Sequence, residues 1–408
     1  MIKNIAKVTI ALLAGGLMHE SAAQDDAIAL TNANLFNGVD AEIIANATVL
    51  VRAGKIERID TSGSEIPPSY TVVDVAGNYL MPGMFDVHTH ASSLDQARRA
   101  LESGVTTIRT GSVSAYQDVA MRELVRSGLL AGPDVVAAGT FVTPDLGDTV
   151  LADPRLAPLH RGVNSDAELR MLVNINADRG VDVIKTRGTQ RAGLPDTDPR
   201  QQVYTERQLR VIVDEAAKRG LPVMVHAHGD EGARAAVLAG ARSIEHGTYL
   251  SDETLRLMLE RGTWMVPTLV TMDEMNEEQY DYVLRLRGKH MVPQLERAIR
   301  KAHELGVRIA TGADNYYDSK SINRISLEVE HFVRLGMTNF EALQTATVSA
   351  AELLQMGDRS GRVAAGYEAD LILVPANPLT NIEALQDVLL VMSNGQIALK
   401  RIPFAVNE

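Results

Sequence analysis

Through the middle of this chain, short apolar runs of strand length alternate with segments of helical period. The runs fall at 85–90, 105–109, 134–138, 181–186, 222–226, 243–246, 264–268 and 308–311. Apolar runs of this length, set between helical segments, are strand-like. Between them lie helical patterns at 93–103, 115–127, 167–179, 206–219, 230–239, 252–261 and 294–305. A strand that reaches its successor through a helix pairs with it in parallel. Eight such units close on themselves, so residues 81–362 are predicted to form a (β/α)8 TIM barrel. A doubly wound open sheet is the competing architecture. It calls for a glycine-rich phosphate loop after its first strand, and none follows residue 90.

The two ends read differently. Runs at 28–32, 47–51, 55–59 and 72–74 are strand-like, and so are 369–375 and 388–397, the last with Asn394-Gly395 as a hairpin turn. Residues 24–80 and 363–408 are therefore predicted to assemble one small β-sandwich domain from both termini. Residues 1–23 carry Lys3 and Lys7, an apolar run over 8–18, and Ser21-Ala22-Ala23. This is a signal-peptide pattern, predicting an exported protein, periplasmic or secreted. The run is shorter than the ~20 residues a membrane span needs. With no cysteine in the chain, thiolate catalysis and cysteine-bound metal are excluded. A net charge of −12 argues against nucleic acid as a partner.

Chemistry concentrates at strand ends. Of ten histidines, His88, His90, His226, His228 and His246 sit at the C-terminal ends of predicted strands. Residues two apart on a strand share a face, so each pair points one way. Imidazole suits zinc and similar ions. One such histidine is commonly structural; five at equivalent positions point to a metal site. Asp314, just past the eighth strand, can ligate metal and take a proton from water, or cap a helix. Lys185 ends the fourth strand, where an unpaired cation would be costly. Loops 141–164, 187–204 and 270–288 follow strands, the catalytic side of a barrel.

The set His88-Thr89-His90, Lys185, His226, His246 and Asp314 resembles the amidohydrolase superfamily in its two-metal form. The phrases Met81-Pro82-Gly83-Met84-Phe85-Asp86, 104–109, 243–248 and 366–371 are similar to its imidazolonepropionase-like and Xaa-Pro dipeptidase branch. The likeness runs over about 27–400. It implies two divalent ions, usually zinc: one on His88, His90 and Asp314, the other on His226 and His246. Lys185, carboxylated on its amine, would bridge them. It further implies hydrolysis by a metal-bridged hydroxide, with Asp314 as proton shuttle and His228 near the oxyanion.

Two substrate classes follow from the resemblance. In the first, a dipeptidase or carboxypeptidase cleaves the amide before a C-terminal amino acid, including N-acyl or N-aroyl amino acids of the ochratoxin kind. In the second, a cyclic amide is opened, as by imidazolonepropionase. Export favours the first. Arg187 shares the face of Lys185 and could clamp a substrate carboxylate; Arg109 reads as a structural pair within the barrel. A non-catalytic binding barrel would have lost ligands, and none is missing. Thr110 stands where the branch has an acid, 143–148 replaces its Gly-Gly-His loop, and Arg187 replaces a smaller residue. These departures touch the substrate pocket. The partner is a small molecule or peptide, and a homo-oligomer is left open.

Overall fold

The computed structural model describes residues 27–319 and 324–401. The signal-peptide segment 1–23 lies outside them. Strands β1 (Ile28–Phe36), β2 (Ile43–Arg52), β3 (Lys55–Asp60), β4 (Thr71–Asp74) and β5 (Tyr79–Pro82) come first. Next come β6 (Met84–Thr89), β7 (Val105–Thr110), β8 (Asp134–Val136), β9 (Ile184–Arg187), β10 (Val223–Ala227), β11 (Ser243–His246) and β12 (Trp264–Val266). Near the end lie β13 (Leu371–Val374), β14 (Leu390–Ser393) and β15 (Gln396–Lys400).

Both ends of the chain meet in one mixed sheet, in the order β15-β14-β13-β5-β1-β2-β3, with β4 on β1. Leu30, Leu35, Val49, Ile56, Leu371 and Leu390 pack in one cluster between its strands. Burying each such side chain stabilises by about 1.5–3 kcal/mol. The hairpin β14–β15 turns at Asn394 (φ 50°) and Gly395 (φ 78°). Positive φ at both central residues matches the twist of the flanking strands, and Asn-Gly tolerates it.

The middle strands form two parallel sheets, β6-β7-β8 and β12-β11-β10-β9. Backbone bonds join them at both seams. On one side Asp182 N donates to Ala137 O (2.7 Å) and Val142 N to Lys185 O (2.9 Å). On the other, Met265 N donates to Arg308 O (2.9 Å) and Val87 N to Thr311 O (3.1 Å). The segment 308–311 makes these bonds, with a parallel bridge from Met265 to Ile309, without becoming a regular strand.

Helices follow the expected positions because their ends are encoded locally. Ser165 with Glu168, and Thr205 with Gln208, are reciprocal capping boxes. Gly240 and Gly262 end their helices in the left-handed conformation. One region departs from the reading above. The expected loop 270–288 is largely helical: Leu269–Glu274 is one helix, and Tyr282–Leu305 is a second, running through Pro293. Gly288 and Pro293 read locally as breakers. Burial of Leu284, Met291, Leu295 and Ile299 outweighs that preference. Among the described residues no helix is long and apolar enough to cross a membrane.

Candidate metal centre and active site

The C-terminal ends of β6, β9, β10 and β11 bring the predicted side chains together. Ligand-type atoms of His226, His228 and His246 lie within 4.8 Å of one another, and so do those of His88, His246 and Asp314. His90 Nε2 is 3.0 Å from Asp314 Oδ1. Lys185 Nζ is 3.2 Å from His88 Nε2. One difference from the expected division is visible: His246 is common to both groups, and His228 stands among the ligand-type atoms.

Each histidine has one ring nitrogen occupied from outside. His88 Nδ1 meets Glu245 Oε2 at 2.7 Å, and His90 Nδ1 meets Ser112 O at 3.0 Å. Nε2 of His226 lies 3.0 Å from Gln190 O. The Nδ1 atoms of His228 and His246 meet the hydroxyls of Thr248 (2.9 Å) and Thr268 (2.7 Å). Such outer partners select a tautomer and leave the second nitrogen as a lone-pair donor. Burial, the largest influence, keeps the imidazoles neutral: His88 is pushed down to about 4, His228 to about 3, and His226 and His246 well below the usual range. Asp314 stays ionised. Burial opposes this, but His88, His90 and Lys185 beside it hold it well below the ordinary carboxylate range. Neutral imidazoles around a carboxylate are the donor set a divalent cation takes.

The backbone is bent to make the site. His246 (φ 74°), Thr268 (φ 54°), Ser112 (φ 114°) and Asp314 (φ 49°) all have left-handed backbones although none is glycine. Strain of this kind gathers at functional sites. At His246 it lets two neighbours, Glu245 and His246, both approach His88; strict alternation would send them to opposite faces. Two glycines clear space for the His88 ring. A Cβ on Gly111 would stand 2.7 Å from His88 Nε2, and one on Gly312 would be 2.8 Å from His88 Cβ.

Glu245 is the functional residue that strand-end reasoning missed. Fully buried, its carboxylate takes His88 Nδ1, Arg109 Nη2 (3.0 and 3.2 Å) and Ser243 Oγ (2.5 Å). The expected structural role of Arg109 is thereby met, with Val87 O as a further acceptor at 2.6 Å. The signal available was the pair Arg109 and Glu245, two buried charges on facing strands that need each other. Thr110, where an acid was expected, bonds Asp118 Oδ2 at 2.6 Å. Asp118 in turn accepts from Ala138 N and Gly139 N, a framework role.

Lys185 is 2 % exposed, and burial pushes its amine down to about 8. Arg187 stands on the same face, both cations lying near 6 Å from the Phe141 ring centre (5.9 and 5.8 Å). The Arg187 guanidinium reaches only Gln190 Oε1, at 3.4 Å, and its Nε is buried without an acceptor among the described residues. A separate cavity of about 720 Å³ opens at the N-terminal ends of the strands, beside Asp134, Asp182 and Arg242. None of the five strand-end histidines lines it.

Residues 79–398 match the amidohydrolase family. The ochratoxinase of Aspergillus niger is 27% identical, over 90% of this chain and 85% of its own. An imidazolonepropionase from Kosmotoga olearia is 25% identical over 83% and 86%. Among solved structures, a Xaa-Pro dipeptidase with methionine bound in its active site superposes with a TM-score of 0.83 at 27% identity, covering 91% of this chain and 99% of that one. The matched span holds every histidine, lysine and carboxylate of the centre described above, and the chain belongs to the amidohydrolase family, as a hydrolase of amide bonds.

Proposed function

We propose that this enzyme cleaves the amide bond before a C-terminal amino acid, in dipeptides or in N-acyl and N-aroyl amino acids. The observation that carries this is Arg187. It is a half-buried guanidinium on the strand of Lys185, with an unsatisfied donor. A planar fork of this kind holds a carboxylate bidentately. Relatives named as an ochratoxinase and a Xaa-Pro dipeptidase support the reading.

The reading takes the two parallel sheets as one (β/α)8 barrel with the site at its C-terminal mouth, and the terminal sheet as a separate small domain. His88, His90 and Asp314 would hold one divalent ion, zinc by preference. His226 and His246 would hold the other, and a carboxylated Lys185 would bridge them. The donor set fits: His88, His226, His228 and His246, kept neutral by burial, and His90, beside an ionised carboxylate. A neutral Lys185 amine, favoured by its burial, adds to carbon dioxide and loses a proton, converting a costly buried cation into an anion. When bound, the ions supply Lewis acidity and lower the pKa of water. Asp314, 19% exposed at the mouth, accepts a proton from water and passes it to the leaving amine. His228 turns Nε2 toward the oxyanion, its other nitrogen fixed by Thr248. Residues 1–23 would direct export.

The test is hydrolysis of dipeptides, N-acyl amino acids, their C-terminal amides and lactams by metal-loaded protein. Free-carboxylate substrates should be preferred, and Arg187→Ala should raise KM for them alone. Turnover confined to lactams would favour the imidazolonepropionase-like alternative and reject the proposal.

A further inference from the structure

The loop between β9 and the helix Glu206–Ala217 touches the centre directly. Gln190 O faces His226 Nε2 at 3.0 Å, and Thr189 Oγ1 accepts from His228 N at 2.9 Å. Its stem is a narrow antiparallel pair. Thr189 bridges Gln202, Gln190 N donates to Gln201 O (2.9 Å), and Val203 N donates to Gly188 O (2.8 Å).

The far end of this loop is gathered onto one side chain. Arg287, on the helix Tyr282–Leu305, donates Nη1 to Ala192 O (2.5 Å) and Leu194 O (2.7 Å). Its Nη2 donates to Pro195 O (3.3 Å) and Thr197 O (2.6 Å). Four carbonyls converge on one planar fork, which a lysine ammonium cannot reproduce. The helix itself is pressed close at the next residue. A Cβ on Gly288 would stand 2.9 Å from Asn276 Oδ1 and 3.0 Å from Met275 Cβ. The fork is thus carried on a seated element.

We propose that Arg287 is a positioning residue for the active site. It acts through the loop: by fixing 192–197 it holds the Gln190 carbonyl against His226 Nε2. That bond keeps the proton on Nε2 and turns Nδ1 toward the centre. Removing the fork frees the loop tip, and with it the constraint on the His226 ring. The consequence for metal rests on the metal-centre reading; the consequence for the loop does not.

Arg287→Met and Arg287→Lys test this in the full chain. Amide exchange followed by mass spectrometry should quicken in 188–204 by about tenfold or more in Arg287→Met, on the scale of lost charge-assisted bonds, with exchange elsewhere unchanged. Arg287→Lys should fall between. Zinc content after gel filtration should drop toward half in Arg287→Met while the melting temperature stays near that of the parent, a pattern that general loosening would not give. Unchanged exchange in 188–204 in either variant overturns the clamp. Faster exchange with full zinc retention overturns the link to His226. If Arg287→Met does not fold, Arg287→Lys carries the comparison. A parent that binds no zinc would sink the metal-centre reading and leave the exchange result to decide the clamp.

Discussion

Glu245→Gln tests the buried framework beneath the centre. The substitution keeps volume and removes charge. Arg109, 2% exposed, would lose the carboxylate's charge and keep only neutral acceptors: Val87 O, a long contact to Ser243 Oγ at 3.3 Å, and the one amide oxygen of the glutamine. Removing one partner of a buried ion pair costs about 3–5 kcal/mol, because the remaining charge stays desolvated. The His88 ring would also lose its carboxylate acceptor, which costs roughly 10–100-fold in metal affinity at comparable sites. Metal-free Glu245→Gln should therefore unfold in urea with a free energy lower by ~3 kcal/mol at unchanged slope. Zinc competition against a chromogenic chelator should show the weaker binding. Adding Arg109→Met should recover part of the stability, since an apolar replacement no longer strands a charge. Burial pushes the Glu245 carboxyl up, but Arg109, the His88 bond and Lys185 outweigh it and hold it down to about 2. A depressed carboxylate stabilises the fold above its ordinary value near 4.5, and that contribution is lost as pH falls toward 2. The effect of the substitution should then be full at pH 7 and shrink in acid. A change within about 0.5 kcal/mol at pH 7, with zinc affinity unaltered, would refute the reasoning.

Two further outcomes are expected. Gly111→Ala places a methyl against the His88 ring and should lower zinc affinity far more than stability; equal zinc affinity by the same competition would show that the ring has room to move. Glu328, accepting from Leu269 N (2.9 Å) and Val270 N (2.7 Å), is pushed up to about 8 by burial. Its folded form takes up a proton more readily than the unfolded one. As far as this group is concerned, stability should be greatest at and below about pH 4.5, fall as pH rises from there to about 8, and level off above. In Glu328→Gln that decline should vanish from urea midpoints measured between pH 5 and 8.

The strand-end histidines were legible because β periodicity and apolar content place an element and its face together. His88 and His90, or His226 and His228, need no partner strand to share a direction. Glu245 was not legible in the same way. Alternation points it away from His246, and only the left-handed backbone at His246 brings both to His88. The helix Tyr282–Leu305 was half hidden, since Gly288 and Pro293 argue locally against helix. What holds it is burial of Leu284, Met291, Leu295 and Ile299 and close packing of Gly288 against Met275 and Asn276. Arg287 carried no signal at all, because carbonyl acceptors are a property of every loop.

By itself the sequence determined the alternation of elements, the parallel pairing it demands, and the ligand types at the strand ends. These depend on periodicities of 2 and 3.6 residues and on side-chain chemistry, which are local. The tertiary structure decided which nitrogen of each imidazole is free, which buried charges pair, and where the loop after β9 is anchored. Those depend on distances between residues far apart in the chain; His88 and Glu245 are 157 positions apart. A one-dimensional pattern holds no measure of such distances.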